Sequence, residues 1–198
     1  MNAERWREYA GPWLARLVQP LERWGIHPNA ITVLGFLLSV GAGLLAGLDL
    51  RWGAALLWVL GGLCDALDGT LARRSGKASP AGAFLDSTLD RYSDAAILLG
   101  IGAAWQRAGM AWGGWIAGIA LLGALMVSYT RARGEGLGVS LREGFFTRLE
   151  RFLVILIALL TGWYGPLLVL FAALAHLTAL QRAWRAMRML RALERRQP

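Results

Sequence analysis

Four aspartates occupy two pairs of positions whose spacing suits one metal site. Asp65 and Asp68 are three residues apart, and Asp86 and Asp90 are four residues apart. In an α-helix either spacing puts both side chains on one face. Mg²⁺ and Mn²⁺ prefer carboxylate oxygens, and two such ions stabilise both the attacking and the leaving oxygen of a phosphoryl transfer. The spacing therefore predicts two facing acidic pairs that hold two divalent cations.

The acidic pairs lie within a chain that is otherwise strongly apolar. Of its 198 residues, 56% are hydrophobic and only 17% are charged. Residues 29–48, 111–130 and 152–180 contain no charged side chain, and about 20 apolar residues in a helix cross the hydrocarbon core of a bilayer. The composition therefore predicts an all-α, polytopic integral membrane protein.

Six transmembrane helices fit the apolar pattern, with a predicted turn between the last two at 162–166. The predicted spans are 29–48, 51–71, 81–104, 111–130, 144–163 and 166–185. An N-terminal segment, 1–26, has tryptophans on one side and arginines elsewhere, which is typical of an amphipathic interfacial helix. The chain is thus predicted to be a single domain over 1–198, with a six-helix bundle at 29–185 and a basic cytoplasmic tail at 186–198.

The positive charge is concentrated on one side of this predicted bundle. The net charge is +8, and with six spans only Arg51 and Arg107 fall in connections on the other side. Lys and Arg favour the cytoplasmic side of a membrane. Both termini and the acidic pairs are therefore predicted to face the cytoplasm, in the cytoplasmic membrane. Because the lysines and arginines lie in the connections between the apolar spans, the positive charge indicates membrane topology and not nucleic-acid binding.

Residues beside the acidic pairs suit a phosphorylated ligand. Gly69 and Gly82 have no side chain to keep a bulky ligand from the backbone, although helix packing explains each glycine equally well on its own. The guanidinium of Arg73 can bind phosphate through two parallel hydrogen bonds.

The complete pattern resembles the signature of the CDP-alcohol phosphotransferase (CDP-alcohol phosphatidyltransferase) family. From Asp65 to Asp90 the sequence is D-x2-D-G-x2-A-R-x8-G-x3-D-x3-D, and all eight fixed positions of the signature are present. Members of this family are six-span membrane enzymes that transfer the phospho-alcohol part of a CDP-alcohol to a second alcohol and release CMP. The resemblance implies the same activity here, and also a homodimer.

The resemblance further implies a role for each motif residue. Two divalent cations, Mg²⁺ or Mn²⁺, are expected to bind the four aspartates: Asp65, Asp68, Asp86 and Asp90. Of these, Asp90 is also the candidate base that deprotonates the acceptor hydroxyl. The cytidine nucleotide is expected to contact four further positions: Gly69, Ala72, Arg73 and Gly82. Residues 27–32 resemble the start of the family's first span, where capping of the helix by Asn29 and Thr32 is favoured over a functional role for either residue.

Arginines cluster around the connection between the fourth and fifth predicted spans. Ordinary positive-inside charge explains some of them, but a group of arginines beside a metal site suits an anionic second substrate. Residues 128–151 are similar to the phosphatidylinositol-phosphate and archaetidylinositol-phosphate synthases, with Gly134 in place of the common Ala and Leu149 in place of the common Pro. This similarity implies that the phosphate of inositol 1-phosphate binds five arginines: Arg131, Arg133, Arg148, Arg151 and Arg182.

The predicted function is transfer of the phosphatidyl group from CDP-diacylglycerol to a polyol phosphate, with inositol 1-phosphate favoured, in phospholipid biosynthesis. Glycerol 3-phosphate is the alternative acceptor, which would make the protein a phosphatidylglycerophosphate synthase. A divalent-cation transporter is an alternative of another class, but the second and third spans become apolar away from the aspartates. A structural scaffold with an arginine-neutralised acidic cluster is a third alternative, and it predicts no dependence on metal.

Overall fold

Seven α-helices make up the described part of the chain, which the computed structural model gives as residues 14–141 and 144–195. The first helix, α1, covers residues 14–23 within that part. Six longer helices follow: α2 (Pro28–Gly47), α3 (Arg51–Arg74), α4 (Pro80–Arg107), α5 (Gly113–Gly136), α6 (Arg148–Thr161) and α7 (Tyr164–Glu194). The described residues contain no strand, so the all-α prediction is confirmed.

Four helices of the described chain are long and apolar enough to cross a membrane: α2, α3, α5 and α7. This supports an integral membrane protein, while the count of six spans stays a prediction. α6 has only 14 residues, because a capping box formed by Thr147 and Glu150 starts the helix four residues later than expected. α7 continues well past 185 into the predicted tail, whose Ala, Leu, Met and Arg residues are strong helix formers.

α2 is the central element of the first half of the bundle, because it packs closely against both α3 and α4. A Cβ atom on Gly43 would lie 2.4 Å from the carbonyl oxygen of Ala96, and one on Gly100 would lie 2.1 Å from that of Gly43. Only glycine permits this approach of α2 to α4. α3 and α4 do not pack closely on each other, although carboxylate oxygens from the two helices lie within 4.8 Å of one another. We call the space between the facing sides of α3 and α4 the cleft.

The second half of the bundle is built from α5, α6 and α7. α5 packs against α4 and α7, whereas α6 packs against α3 and α7. The ring of Phe152 stacks on Trp58 with centroids 5.5 Å apart, and the Trp58 indole donates to the Phe152 carbonyl at 3.3 Å. This contact fixes α6 on α3. We call the end of the bundle where α3 ends and α4 begins the site end, and the other the opposite end.

The helix α1 lies against the site end of α2 and α3. Val18 is fully buried and forms a small apolar cluster with Ile31 and Leu71, while Trp24 is 75% exposed. Glu22 pairs with Arg74 at 3.5 Å. The described part of the predicted amphipathic segment is therefore helical and two-sided. The first thirteen residues of that segment lie outside the described residues, and its location on a membrane surface stays a prediction.

Candidate active site

The two acidic pairs meet across the cleft between α3 and α4. Asp65 and Asp68 extend from α3, and Asp86 extends from the first two turns of α4. One carboxylate oxygen from each of these three residues lies within 4.8 Å of the others. We call these three residues the carboxylate cluster. The helical spacing was therefore sufficient to predict which side chains converge, even though the two helices are not in close contact.

The carboxylate cluster has the properties of a divalent-cation site. Asp68 is only 6% exposed, and its Oδ2 atom is buried without a hydrogen-bond partner among the described residues, as is Oδ1 of Asp86. Buried carboxylate oxygens without a partner are costly because they lose their hydration. A bound cation that prefers oxygen ligands, such as Mg²⁺ or Mn²⁺, would satisfy both atoms. The residues present thus fit the predicted cofactor.

Asp90 lies beside the carboxylate cluster but has different partners. Its Oδ1 is 2.5 Å from Nη2 of Arg148, and its Oδ2 is 3.7 Å from Nη1 of Arg91. The same nitrogen of Arg148 is 2.7 Å from Oδ1 of Asp65. Arg148 therefore bridges the two acidic pairs. The sequence similarity assigned this arginine to the acceptor phosphate, and its position in the structure ties it to the carboxylates.

The start of α6 directs two arginines toward α4. Glu150 accepts a hydrogen bond from the backbone nitrogen of Thr147 at 2.8 Å and so closes the first turn of α6. This leaves Arg148 and Arg151 to face α4, where Arg151 lies 3.2 Å from Asp94. Sequence reasoning gave Asp94 no role. The signal was nevertheless there, because Asp94 continues the four-residue spacing of the two aspartates before it on α4.

Three of the predicted acceptor arginines lie together, one each from α5, α6 and α7. Arg182 is 5% exposed and donates to the Val127 carbonyl at 2.8 Å. Arg131 and Arg151 are close enough for their charges to act on Arg182. We call these three residues the arginine group. Arg133 is two residues, or about 200°, further around α5 than Arg131, and it is exposed, so the structure does not bring it to the group.

The residues predicted to bind the nucleotide line the cleft near the ends of α3 and α4. A Cβ atom on Gly69 would lie 3.4 Å from Nη1 of Arg73, so the guanidinium folds over the glycine. A Cβ atom on Gly82 would lie 3.2 Å from Oδ1 of Asn29. α2 therefore contributes the side chain of Asn29 to the wall of the cleft, opposite α4. Ala72 is on the same helix end and is partly buried.

The predicted capping roles of Asn29 and Thr32 are wrong. α2 begins at Pro28, and the residue before a first-turn proline is the natural N-cap. His27 fills that position, and its Nδ1 atom accepts a hydrogen bond from the Asn29 backbone nitrogen at 3.2 Å. The side chain of Asn29 is thereby left to face Gly82, and Thr32 lies next to Asp68. Both residues therefore contact the site, as the less favoured functional role requires.

Known proteins share both the sequence and the fold of this chain. The sequence profile described as CDP-alcohol phosphatidyltransferase matches residues 25–184. An archaetidylinositol phosphate synthase from Pyrococcus horikoshii is 40% identical over 183 residues, covering 86% of this chain and 93% of that protein. The crystal structure of Mycobacterium tuberculosis phosphatidylinositol phosphate synthase with CDP-DAG bound superposes with a TM-score of 0.79 at 28% identity, covering 87% of this chain and 92% of that chain.

A second crystal structure of the Mycobacterium tuberculosis protein is a complex with manganese and citrate. It has the same TM-score, 0.79, at 28% identity and covers 88% of each chain. A helical bundle with a carboxylate cluster suits a metal-dependent phosphoryl-transfer enzyme of the membrane. Within that class, the chain belongs to the CDP-alcohol phosphatidyltransferase family.

Family membership decides several of the predictions made from the motif. The resemblance carried by its eight fixed positions is confirmed, and so is the prediction of an enzyme of the phosphatidyltransferase class. The predicted divalent-cation cofactor is confirmed by the carboxylate cluster together with the manganese complex of a relative. The transporter and scaffold alternatives find no support in these comparisons.

Proposed function

We propose that this enzyme transfers the phosphatidyl group of CDP-diacylglycerol to the hydroxyl of inositol 1-phosphate and releases CMP. The observation that carries the proposal is the presence of two groups of opposite charge at the site end. The carboxylate cluster comes from α3 and α4, whereas the arginine group comes from α5, α6 and α7. The first suits the metal-bound diphosphate of a CDP-lipid, and the second suits a phosphorylated acceptor. Relatives named for inositol phosphate products support the same acceptor.

The donor side of the proposed site uses the carboxylate cluster and the residues of the cleft. Cations bound by Asp65, Asp68 and Asp86 would neutralise the negative charge of the diphosphate and of the departing CMP. The nucleotide is bound by the remaining motif residues: Gly69, Ala72, Arg73 and Gly82. The two glycines let the ligand approach the backbone, and Arg73, which is exposed at the end of α3, is free to turn toward phosphate.

Asp90 is the proposed base. Its carboxylate takes the proton of the acceptor hydroxyl while the hydroxyl oxygen attacks the phosphorus on the lipid side of the diphosphate. A new phosphorus–oxygen bond forms, the bond from that phosphorus to the bridging oxygen breaks, and CMP leaves with the electron pair. Arg148 holds Asp90 by the ion pair at 2.5 Å. A base must be held in place to act on a bound hydroxyl, and Arg148 supplies that restraint.

The acceptor side of the proposed site uses the arginine group. Arg151 and Arg182 are enclosed by the bundle, where a charged hydrogen bond to phosphate is stronger than at an exposed surface. Arg131 is half exposed and pairs with Glu135 at 3.0 Å, so it forms the outer edge of the group. Arg133 and Arg148 were also predicted to bind the phosphate, and those roles stay predictions.

The proposed activity requires a particular arrangement in the membrane. We propose six spans, α2 to α7, with both termini and the site end at the cytoplasmic side of the cytoplasmic membrane. Four apolar helices and the concentration of arginines at the site end support this arrangement. The chain is proposed to act as one domain and as a homodimer. The apolar side chains exposed on the bundle surface suit lipid or a second subunit equally well.

The test is CMP release from CDP-diacylglycerol by protein purified in detergent with Mg²⁺ or Mn²⁺. Inositol 1-phosphate, glycerol 3-phosphate, inositol and serine are supplied in parallel reactions. Release that needs inositol 1-phosphate, and that is lost in Asp90→Asn but kept in Asp49→Asn, supports the proposal. Asp49 is a matched control, because it carries the same carboxylate at the opposite end of the bundle. Release with glycerol 3-phosphate alone would make glycerol 3-phosphate the acceptor in place of inositol 1-phosphate. The absence of CMP release with all four acceptors would contradict the proposal.

A further inference from the structure

One enclosed ion pair connects the helix of the acidic pairs to the arginine group. Nη1 of Arg151 lies 3.2 Å from Oδ2 of Asp94, and the two side chains are 11% and 21% exposed. In the neighbouring pair, the side chain of Arg148 is 52% exposed. An enclosed ion pair loses hydration and rarely stabilises a fold more than apolar residues of the same size would. Stability alone therefore does not account for the pair of Arg151 with Asp94.

The two ion pairs follow from the way α6 lies along α4. Arg148 and Arg151 are three residues apart on α6, and Asp90 and Asp94 are four residues apart on α4. Both helices begin at the site end, so about one turn of each separates the two pairs. The outer pair lies beside the carboxylate cluster, and the inner pair lies one turn deeper in the bundle.

We propose that Asp94 is a positioning residue for the acceptor, and that it acts by fixing the guanidinium of Arg151. The inference rests on the proposed function, because it requires an acceptor that carries a phosphate. Nη1 of Arg151 faces both Asp94 and the Ala124 carbonyl, the latter at 3.4 Å. Its Nε is buried and has no hydrogen-bond partner among the described residues. Since the guanidinium is planar and rigid, fixing Nη1 also fixes the directions of the other donors.

Asp94 is an enclosed counter-charge beside the arginine group. The charges of Arg131 and Arg151 act unfavourably on the charge of Arg182. Glu135 offsets Arg131, but the side chains of that pair are 44% and 48% exposed, and solvent weakens such a pair. Asp94 is better enclosed and therefore interacts more strongly with Arg151. Its negative charge would also repel a bound phosphate, so positioning and repulsion predict opposite results when the carboxylate is removed.

The position of Asp94 relative to the proposed base, Asp90, explains how its ion pair with Arg151 acts on the acceptor. Asp90 and Asp94 are one turn apart on α4, which corresponds to a rise of about 6 Å. The acceptor needs its hydroxyl at Asp90 and its phosphate at Arg151. The hydroxyl position and the phosphate position are then both fixed relative to α4. The ion pair of Asp94 with Arg151 therefore sets the distance between these two positions. A small error in this distance lowers both the reaction rate and the affinity for the acceptor.

The test compares Asp94→Ala, Asp94→Asn and Asp94→Glu with the wild-type chain, by initial rates of CMP release with Mg²⁺. We expect the KM for inositol 1-phosphate to rise about 10- to 100-fold in Asp94→Ala, as for a lost charged hydrogen bond. Asp94→Asn should show a smaller rise, since its amide oxygen can still accept from Arg151. Asp94→Glu, which keeps the carboxylate, should recover part of the affinity. The KM for CDP-diacylglycerol should stay within about twofold.

The controls separate positioning from a general loss of structure. Asp49→Asn removes a carboxylate at the opposite end and should leave both KM values unchanged, and gel filtration reports whether each variant is folded. If Asp94→Ala does not fold, Asp94→Asn decides the outcome. An acceptor KM that is unchanged, or that falls because repulsion has been removed, would overturn the inference. So would an equal rise of both KM values.

The wild-type reactions distinguish failure of this inference from failure of the proposed function. If the wild type uses glycerol 3-phosphate and not inositol 1-phosphate, the proposed acceptor is wrong, and the variants are scored with glycerol 3-phosphate by the same criteria. If the wild type uses only uncharged acceptors, the proposed function and the role of Asp94 both fail. If the wild type uses inositol 1-phosphate and the variants share its KM, only the role of Asp94 fails.

Discussion

The two ends of the bundle differ in whether their polar groups have hydrogen-bond partners among the described residues. At the opposite end, the hydroxyl of Tyr164 donates to Asp49 at 3.2 Å, and Gly162 closes α6 with its backbone nitrogen bonded to the Ala158 carbonyl at 2.9 Å. At the site end, four buried side-chain atoms have no hydrogen-bond partner among the described residues: Asp68 Oδ2, Asp86 Oδ1, Arg151 Nε and Gln181 Oε1.

This difference separates polar groups that serve the fold from polar groups that serve a ligand. Nearly all buried polar atoms in folded proteins have a partner, and the opposite end of this bundle obeys that rule. Two of these unpartnered atoms belong to the carboxylate cluster, one belongs to Arg151 of the arginine group, and one belongs to Gln181, which directly precedes Arg182. A bound cation would satisfy the two carboxylate oxygens, and an acceptor phosphate would accept a hydrogen bond from Nε of Arg151. Substitutions at the two ends should therefore separate activity from stability.

The largest effect is expected for Asp90→Asn. If Asp90 is the base, CMP release should fall by about 10³-fold, within the range that general-base catalysis contributes. The apparent unfolding temperature should stay the same or rise slightly, because the change removes one of several crowded negative charges. Activity assays and thermal unfolding in detergent measure the two effects. A variant that loses stability together with activity would place Asp90 among the residues that serve the fold.

Divalent cations should stabilise the site end in a way that depends on Asp68. At a concentration 100 times the dissociation constant, a ligand of the folded state adds about 2.7 kcal/mol to the free energy of unfolding. Mn²⁺ should therefore raise the unfolding temperature of the wild type, and a chelator should reverse the rise. Asp68→Asn should show a much smaller rise, while the control Asp49→Asn should match the wild type. An equal rise in all three proteins would show that the cation binds elsewhere.

Local spacing was sufficient to predict the residues that meet through a single helix face. Asp65 with Asp68, and Asp86 with Asp90, follow directly from the period of the α-helix. The bounds of α2, α3 and α5 also lie close to the apolar segments, because hydrophobic length is a local property of the chain. Family resemblance then supplied the chemistry, which periodicity alone does not contain.

The remaining features depend on contacts between distant segments. The partners of Arg148 follow from the docking of α6, which rests on the stacking of Phe152 on Trp58. The close approach of α2 to α4, next to the cleft, depends on Gly43 and Gly100. Neither contact is encoded in the spacing of nearby residues. The four-residue series that ends at Asp94 was visible in the sequence, but its partner on α6 was not.

A smaller effect, confined to stability, is expected for Gly162→Ala at the opposite end. Gly162 has φ +74° and ends α6, and a side chain in this left-handed conformation costs about 1–2 kcal/mol. The unfolding temperature should therefore fall, with kcat and both KM values unchanged. Gly118→Ala is the matched control, because Gly118 is in the second turn of α5 with open space around a Cβ atom. That variant should be neutral or slightly stabilising.

Tyr164→Phe should have the smallest effect and gives the most direct test of the comparison between the ends. It removes one hydroxyl that has a partner in the folded state, so the free energy of unfolding should fall by about 1 kcal/mol. The partner, Asp49, is exposed and can be hydrated by solvent, which keeps the loss small. CMP release and its dependence on Mg²⁺ should be unchanged. A change in acceptor KM in Tyr164→Phe would mean that the two ends of the bundle are coupled, because the hydroxyl lies at the end of α7 remote from Arg182.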